Sequence, residues 1–175
     1  MFVIRQCETE ADFAIAAELA VELAVWDSAE TQKLGISADE VSQFYYPAEL
    51  DLAGSPVAAS GVTLLASARS VSAACIGYRE VRPHVCELKR LYVRPAFRGT
   101  GLGRTMVSSI VEKATSAGYS RMCLETTHFM KGAISLYEEA GFGPCEPYYE
   151  IPEIFRGLSI FMTKDLSRRS GVEQT

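Results

Sequence analysis

Residues 87–107 of the 175-residue chain read ELKRLYVRPAFRGTGLGRTMV, and this stretch decides the fold. A strand pattern ends at Val93, and three glycines follow immediately before a helical pattern. A strand, a glycine-rich turn and a helix form the first part of a crossover between parallel strands, which needs another strand after the helix. The stretch MCLETT, residues 122–127, is predicted to be that strand.

The chain on both sides of this crossover reads as hairpins and helices. Strands are predicted at residues 3–5, 62–68, 73–81, 86–93, 122–127, 142–149 and 158–164. Two helices follow the capping residues Thr9 and Ser37, and the first of them breaks into a polar connection near Trp26. Two more helices end at Gly118 and Gly141. This order predicts the α/β class, with a mixed, mostly antiparallel sheet of about seven strands, a central parallel βαβ crossover and four helices.

Length and composition indicate one soluble globular domain. Apolar residues make up 48% of the chain and charged residues 22%, which are ordinary values for such a domain. Pro47 is predicted to end the second helix, and the small-residue stretch 51–61 is predicted to be a loop. The prediction is a single domain over residues 1–166, followed by a polar C-terminal tail over residues 167–175.

Charge, hydropathy and cysteine spacing exclude several classes of function. A net charge of −5 argues against non-specific nucleic-acid binding. No segment reaches the roughly 18 uninterrupted apolar residues of a membrane helix. The N-terminus is charged by Arg5 and lacks the apolar region of a signal peptide, so a cytoplasmic location is predicted. The five cysteines and two histidines lack the close spacing of zinc or redox sites, which predicts reduced thiols and no metal.

Positive charge is concentrated around the glycine turn, although the chain as a whole is acidic. Between Arg82 and Arg104 there are six basic residues and one acidic residue, Glu87. Such a segment suits a polyanionic ligand that binds at one place. Taken alone, the pattern also fits a solvated basic loop.

The glycine turn itself is suited to anion binding. Gly99, Gly101 and Gly103 let successive backbone N–H groups point inward, and the following helix adds its positive dipole end. A P-loop needs GxxxxGK[ST], but the turn has no lysine. A dinucleotide fingerprint needs GxGxxG, but arginine or methionine occupies the last glycine position in the two alignments. The pattern [R/Q]xxGx[G/A] matches residues 98–103 in full.

The sequence resembles the GNAT superfamily of N-acetyltransferases, whose pyrophosphate loop has this pattern. LKRLYVRPAFRGTGLG (88–103) is similar to the family's strand–loop–helix core, and AISLYEEAGF (133–142) is similar to its second signature. The element order agrees, so the resemblance covers roughly Val3 to Leu166 and implies a GNAT-like fold. It also implies acetyl-CoA as co-substrate and transfer of its acetyl group, by direct attack, to a primary amine of a small molecule or amino acid.

The resemblance also assigns residues to the coenzyme. Backbone groups of Leu91, Tyr92 and Val93 are expected to pair with the pantetheine arm, where the fourth and fifth strands splay apart. The amides expected to hold the diphosphate are those around Arg98, Gly99, Thr100, Gly101, Gly103 and Arg104. Many members place an asparagine after the fifth strand, but this chain has none there; Thr126 and His128 are the candidates to replace it.

Two side chains are candidates for proton transfer, since acetylation must deprotonate the amine and protonate the leaving thiolate. Glu87 is the candidate base, and strand alternation predicts that it shares a face with Lys89 and Leu91. The alternative is an exposed carboxylate paired with a basic neighbour. The resemblance implies Tyr137 as the acid beside the coenzyme's sulfur, with a core tyrosine as the alternative. The N–H of Val93 is expected to meet the oxyanion.

The family's acceptor pocket lies between the first two helices and the last hairpin. The aromatic and acidic residues of these segments are Trp26, Asp27, Glu30, Tyr45, Tyr46, Tyr148 and Tyr149. They suit a small cationic amine, and they suit a packed core with a solvated rim equally well. Acetylation of a protein lysine or N-terminus, and a non-catalytic CoA-binding regulatory module, are the alternative functions. Exposed sheet edges also allow a homodimer.

Overall fold

A computed structural model describes residues 1–46 and 61–167 of the chain. The helices are α1 (Glu10–Gln32), α2 (Ala38–Tyr45), α3 (Leu102–Ser116) and α4 (Lys131–Glu139). The strands are β1 (Val3–Gln6), β2 (Gly61–Ala68), β3 (Val71–Arg82), β4 (Val85–Val93), β5 (Arg121–Thr127), β6 (Gly143–Pro144) and β7 (Ser159–Asp165). The predictions for Pro47, for the 51–61 loop before Gly61 and for the tail after residue 167 lie outside the described residues.

The seven strands form one mixed sheet in the order β1-β2-β3-β4-β5-β7-β6. All neighbouring strands are antiparallel except β4 and β5, which are parallel and connected through α3. The predicted α/β class, with seven strands, a parallel crossover and four helices, is confirmed. Buried Met106, Val107 and Ile110 of α3 pack on one face of the sheet, and buried Leu19 and Leu23 of α1 pack on the other.

The first helix is longer than its sequence pattern predicts. Its start is confirmed, because Thr9 and Asp12 form a capping box. The predicted break into a polar connection near Trp26 is wrong, since the helix continues to Gln32. Asp27 and Thr31 follow Leu23 at intervals of four residues and are both buried, so polar residues continue the inner stripe of the helix.

The predicted strand over residues 142–149 is mostly wrong. Only Gly143 and Pro144 pair with β7. Pro144 and Pro147 have no N–H to donate, so the chain cannot sustain a ladder and leaves the sheet. The segment that follows instead brings the side chains of Tyr148 and Tyr149 to two carboxylates, the buried Glu87 and the half-buried Glu125.

Candidate active site

The parallel strands β4 and β5 are paired only where they begin. Residues 85–87 of β4 pair with residues 121–123 of β5. Farther along, β4 stays paired with β3 and β5 stays paired with β7, so the two strands separate from each other. This separation opens the middle of the sheet beside the glycine loop, as the resemblance implied.

Arg90 interrupts the alternation of β4. Its φ is 58°, and the register with β3 shifts around it by one residue. After this bulge, Tyr92 packs with α1, whereas Leu91 packs with the cluster on the α3 face. The predicted shared face of Glu87, Lys89 and Leu91 is therefore wrong for Leu91, because one extra residue turns it to the other side.

The loop between β4 and α3 curls in the way that its glycines predict. Gly99 has φ 74° and Gly101 has φ 85°, a region that residues with a Cβ rarely adopt. Gly101 is the N-cap of α3, and the N–H groups of the first helical turn have no partner within the helix. Gly103 brings α3 close to α4, since a Cβ there would lie 2.8 Å from Leu136 Cδ1. These features are typical of loops that bind anions at a helix N-terminus.

The basic residues around this loop have distinct roles. Arg98 donates from Nε to the Val93 carbonyl at 2.9 Å, which ties the loop to the end of β4. Arg104 is exposed and forms an ion pair with Glu139 at 2.6 Å. Arg94 is held by an α1 carboxylate, with N–O distances from 2.6 to 3.1 Å. The basic segment is thus partly structural, with Arg98 and Arg104 next to the loop.

A cavity of about 110 Å³ lies at the opening between β4 and β5. Its walls come from α1, α2, α4 and the strands β2 to β5. The polar side chains on these walls include Asp27, Tyr46, Thr63, Glu125, Thr127 and Tyr137. The opening in the sheet therefore holds a polar cavity, and the glycine loop follows the end of β4 beside it.

Glu87 lies beside this cavity, but the walls formed by the described residues do not include it. Its side chain is 1% exposed. Oε2 accepts from Nε and Nη2 of Arg79 at 3.1 and 3.0 Å. Oε1 accepts from the Tyr148 hydroxyl at 2.8 Å and from Lys89 Nζ at 3.1 Å. The carboxylate is paired with basic neighbours, as one alternative held, but it is buried instead of exposed.

Tyr137 lies on α4 and lines the cavity. It is 5% exposed, and its ring makes an edge-on contact with Phe142 at 5.9 Å between centroids. Burial raises the pKa of its hydroxyl above the usual value for tyrosine. The side chain is therefore a neutral O–H donor at physiological pH, packed in the core and in contact with the cavity at once.

Glu125 is a second carboxylate on the cavity wall, and no sequence signal singled it out. Oε1 accepts from Ser159 Oγ at 2.5 Å, and Oε2 accepts from the Tyr149 hydroxyl. Ser159 Oγ also lies 3.0 Å from the hydroxyl of Tyr45. Burial raises the pKa of Glu125, although the bonds from Ser159 and Tyr149 act in the opposite direction.

Asp27 contributes a third carboxylate, from the inner side of α1. It is 2% exposed, and Oδ2 accepts from the Tyr46 hydroxyl at 3.1 Å. Among the described residues, no donor reaches Oδ1. Burial raises the pKa of Asp27 to about 6. The group is therefore mostly ionised at neutral pH despite its burial.

The residues predicted for the acceptor pocket divide into three sets. Asp27, Tyr45 and Tyr46 line the cavity. Tyr148 and Tyr149 reach it indirectly, through hydrogen bonds to the two glutamates.

The remaining candidates lie away from these walls. Trp26 contacts Phe129 at 5.9 Å, and Glu30 pairs with Lys33 at 2.7 Å on the surface of α1. Of the two proposed replacements for the missing asparagine, Thr126 lines the cavity.

A sequence model of the acetyltransferase (GNAT) family matches residues 22–142, which is more than half of the chain. The chain belongs to this family. The match runs from the inner part of α1 to the end of α4, so it contains the opened strands, the glycine loop and Tyr137. Membership of the GNAT family confirms the resemblance drawn from residues 88–103 and 133–142.

Two curated relatives show how far the similarity extends. An uncharacterized N-acetyltransferase of Schizosaccharomyces pombe is 46% identical over 70 residues, which cover 40% of this chain and 43% of the relative. An IAA acetyltransferase of Azospirillum brasilense is 40% identical over 83 residues, which cover 46% and 51% of the two chains. This GNAT chain therefore spans about half, or less, of the length of the relatives it matches.

Solved structures show the same fold over nearly the whole chain. The PaiA N-acetyltransferase of Thermoplasma acidophilum, solved in complex with coenzyme A, has a TM-score of 0.68 at 20% identity and covers 94% of this chain and 99% of its own. A GNAT-family acetyltransferase of Staphylococcus aureus also has a TM-score of 0.68, at 16% identity, with 95% and 99% covered. At these identities the likeness establishes the GNAT fold.

Two features of residues 1–46 and 61–167 concern metals and membranes. No group of three or more His, Cys, Asp or Glu side chains in these ranges is arranged to hold a metal ion. None of the described helices is both long enough and apolar enough to cross a bilayer.

Proposed function

We propose that this protein is an N-acetyltransferase that transfers the acetyl group of acetyl-CoA to a primary amine of a small molecule or amino acid by direct attack. One observation carries the proposal: β4 and β5 separate to form a cavity lined by carboxylates and a tyrosine, and β4 runs on into a glycine loop at the N-terminus of α3. A phosphate-bearing thioester donor suits the loop, and a small amine suits the cavity.

The residues around the loop fit a diphosphate. Amides of Arg98, Gly99, Thr100, Gly101, Gly103 and Arg104 would hold it, because the left-handed glycines and the first turn of α3 turn N–H groups toward one place. Leu91, Tyr92 and Val93 would pair with the pantetheine arm along the edge of β4 that no longer pairs with β5. The N–H of Val93 would then donate to the developing oxyanion.

Acetyl-CoA supplies an activated acetyl group, so the chain's own work is to orient the amine and to move two protons. The amine must lose a proton to become a nucleophile, since an amine of pKa about 10.4 is almost fully protonated at pH 7. Tyr137 would donate a proton to the leaving thiolate, because its buried neutral hydroxyl lines the cavity.

Two glutamates compete for the role of proton acceptor. Glu87 is the base that the sequence predicts, and it would act through a water, because four donor atoms occupy its oxygens. Glu125 lines the cavity and, within residues 1–46 and 61–167, accepts from Ser159 and Tyr149. Geometry favours Glu125 as the direct acceptor, with Glu87 ordering Arg79 and Lys89. Kinetics of the two Glu→Gln variants separate these roles.

The proposal is tested by calorimetry with acetyl-CoA and by thiol release with a panel of amines. We expect acetyl-CoA to bind with a defined stoichiometry and an added amine to release thiol. Binding without turnover on any small amine or peptide would indicate the regulatory module. Turnover only on peptides would indicate a protein acetyltransferase, and absence of binding would overturn the proposal. The cytoplasmic location and the homodimer stay predictions.

A further inference from the structure

The cavity holds three buried polar atoms that no described residue satisfies. They are Oδ1 of Asp27, Oγ1 of Thr63 and Oγ1 of Thr127, and in residues 1–46 and 61–167 no other buried side-chain nitrogen or oxygen lacks a partner. All three residues line the same cavity, although they come from α1, β2 and β5. Because buried polar atoms are nearly always hydrogen-bonded, their concentration on one cavity indicates a polar ligand.

Asp27 determines the chemistry of that ligand. The Tyr46 hydroxyl already donates to Oδ2, so Oδ1 is left to accept from something else. A carboxylate can only accept, and a threonine hydroxyl can accept as well. The complementary group is a donor with several N–H bonds and a positive charge, which describes an ammonium group.

Two carboxylates, those of Asp27 and Glu125, lie on the cavity walls. Two of the three basic residues on the walls are paired with Glu87 beside the cavity, and the third is Arg90. With Glu87 counted, three carboxylates and three basic side chains balance in charge around the cavity. Repulsion from Glu125 adds to the burial that raises the pKa of Asp27, so a bound cation would stabilise both carboxylates.

We propose that Asp27, Thr63 and Thr127 bind a second ammonium group of the acceptor, so that the substrate is a small aliphatic diamine. This inference rests on the proposed function and specifies its acceptor. One amine reacts in its neutral form: its nitrogen forms the bond to the acetyl carbon and loses a proton, the C–S bond breaks, and the thiolate takes up a proton. The other amine stays protonated, since its pKa is about 10, and fixes the reacting amine in place.

The first experiment uses the wild-type protein and needs no variant. Rates with acetyl-CoA are measured for 1,4-diaminobutane and for 1-aminopentane, in which a methyl group replaces the second ammonium. We expect kcat/KM for the diamine to be higher by about tenfold to a hundredfold, the range for hydrogen bonds to a charged group. Equal values for the two amines would overturn the inference.

The second experiment uses Asp27→Asn, which keeps the shape of the side chain and removes its charge. We expect KM for 1,4-diaminobutane to rise by about tenfold or more, with KM for 1-aminopentane and the affinity for acetyl-CoA unchanged. The matched control is Glu30→Gln, which removes a carboxylate from the outer surface of the same helix. A rise in KM for both amines alike, or the same rise in the control, would contradict the role of Asp27.

The two proposals fail in different ways. If acetyl-CoA binds and 1-aminopentane is acetylated as fast as the diamine, the acetyltransferase proposal stands and the diamine subsite is lost. If acetyl-CoA does not bind, both fail together. A diamine that raises the melting temperature of wild-type protein with CoA, but not of Asp27→Asn, would support the subsite without any turnover.

Discussion

At the scale of single residues, two glutamates near the same opening differ in what their carboxylates can do. Glu87 accepts from four donor atoms, about the full capacity of a carboxylate. Glu125 accepts from two hydroxyl groups and lines the cavity. Burial raises its pKa, so it is a stronger base than an exposed glutamate. We therefore propose that Glu125 accepts the proton and that Glu87 orders Arg79 and Lys89.

Substitution of these glutamates by glutamine separates the two roles. We expect Glu125→Gln to lower kcat by about 10²-fold or more and to abolish the rise of rate with pH, because general-base catalysis is lost. We expect Glu87→Gln to leave the pH profile intact and to lower the free energy of unfolding by about 1–3 kcal/mol, since Arg79 and Lys89 lose their buried counter-charge. Rates measured against pH, with urea unfolding of both variants, check this. The reverse result would return the role of base to Glu87.

Replacement of Tyr137 by phenylalanine removes only the hydroxyl group and keeps the buried ring. We expect Tyr137→Phe to lower kcat by about 10–10³-fold with little change in the affinity for acetyl-CoA, since only proton donation to the thiolate is removed. Tyr119→Phe is the matched control, because its hydroxyl bonds to Glu80, away from the cavity walls. Steady-state kinetics and calorimetry decide the matter, and full activity in Tyr137→Phe would exclude it as the proton donor.

Sequence reasoning found some of these residues and missed others for physical reasons. Tyr137 was found because its position in a family signature is visible in the sequence. Asp27 was named only as a neighbour of aromatic residues, although its spacing of four residues from Leu23 places it on the buried stripe of α1. Glu125 follows the apolar run of residues 122–124 in β5 and is followed by two threonines, and such a polar strand end is typical of a solvent-facing segment. The hydroxyl of Tyr149, which is distant along the chain, donates to Glu125, and the local sequence pattern does not reveal that contact.

At the scale of elements, the loop before α3 depends on glycine at two positions, because the backbone there has positive φ. No atom lies within 4 Å of the Cβ position at Gly99 or Gly101, so an added methyl group meets no steric obstacle. The positive φ values alone disfavour other residues. Substitutions there therefore act on the shape of the loop and on the N–H groups it presents.

Gly101→Ala tests that loop, and Gly118→Ala is a matched control at the other end of α3. Both glycines have positive φ, 85° and 89°, with open space around the Cβ position. We expect each variant to lose about 1–2 kcal/mol of stability, the usual cost of the left-handed region. Only Gly101→Ala should weaken acetyl-CoA binding, by about tenfold or more, because N–H groups of the nest move. Equal affinities in calorimetry would place the diphosphate elsewhere.

Most helices and strands could be predicted from the spacing of apolar residues and from the capping residues. The errors concern features that depend on contacts with other elements. The capping boxes at Thr9 and Ser37 were visible because both partners lie within three residues. The bulge at Arg90 has no local signal in the sequence, since the letter for arginine does not show that its φ is positive. For residues 142–149, the apolar and aromatic content favoured a strand, whereas the prolines limited it to Gly143–Pro144.

At the scale of the whole molecule, the site exists because one sheet is held open in the middle. Antiparallel partners on the outer sides keep β4 and β5 in place after they separate, and α1, α2 and α4 form part of the cavity walls. No local pattern predicts this opening. It entered the sequence reasoning through the resemblance to a family and became visible only in the register of β4 against β5.

Burial of Asp27 in the cavity wall makes the stability of the fold depend on pH. Burial raises its pKa from 3.8 to about 6, so between these values the folded state holds a proton that the unfolded state has lost. The free energy of unfolding therefore falls as pH rises through this interval, in contrast to a salt-bridged carboxylate. The groups that face it are Tyr45 at the end of α2, Tyr46 directly after it, Glu125 from β5 and Arg90 from β4.

Asp27→Asn should remove this loss of stability, since an amide stays neutral at every pH. We expect the variant to gain on the order of 2 kcal/mol over wild type between pH 4 and pH 7.5, because each pKa unit corresponds to about 1.4 kcal/mol. Urea unfolding at several pH values measures the difference, and groups common to both proteins cancel. A difference independent of pH would show that Asp27 titrates normally. With CoA and 1,4-diaminobutane present, wild type should regain the lost stability and the variant should not, because only a charged carboxylate holds the second ammonium.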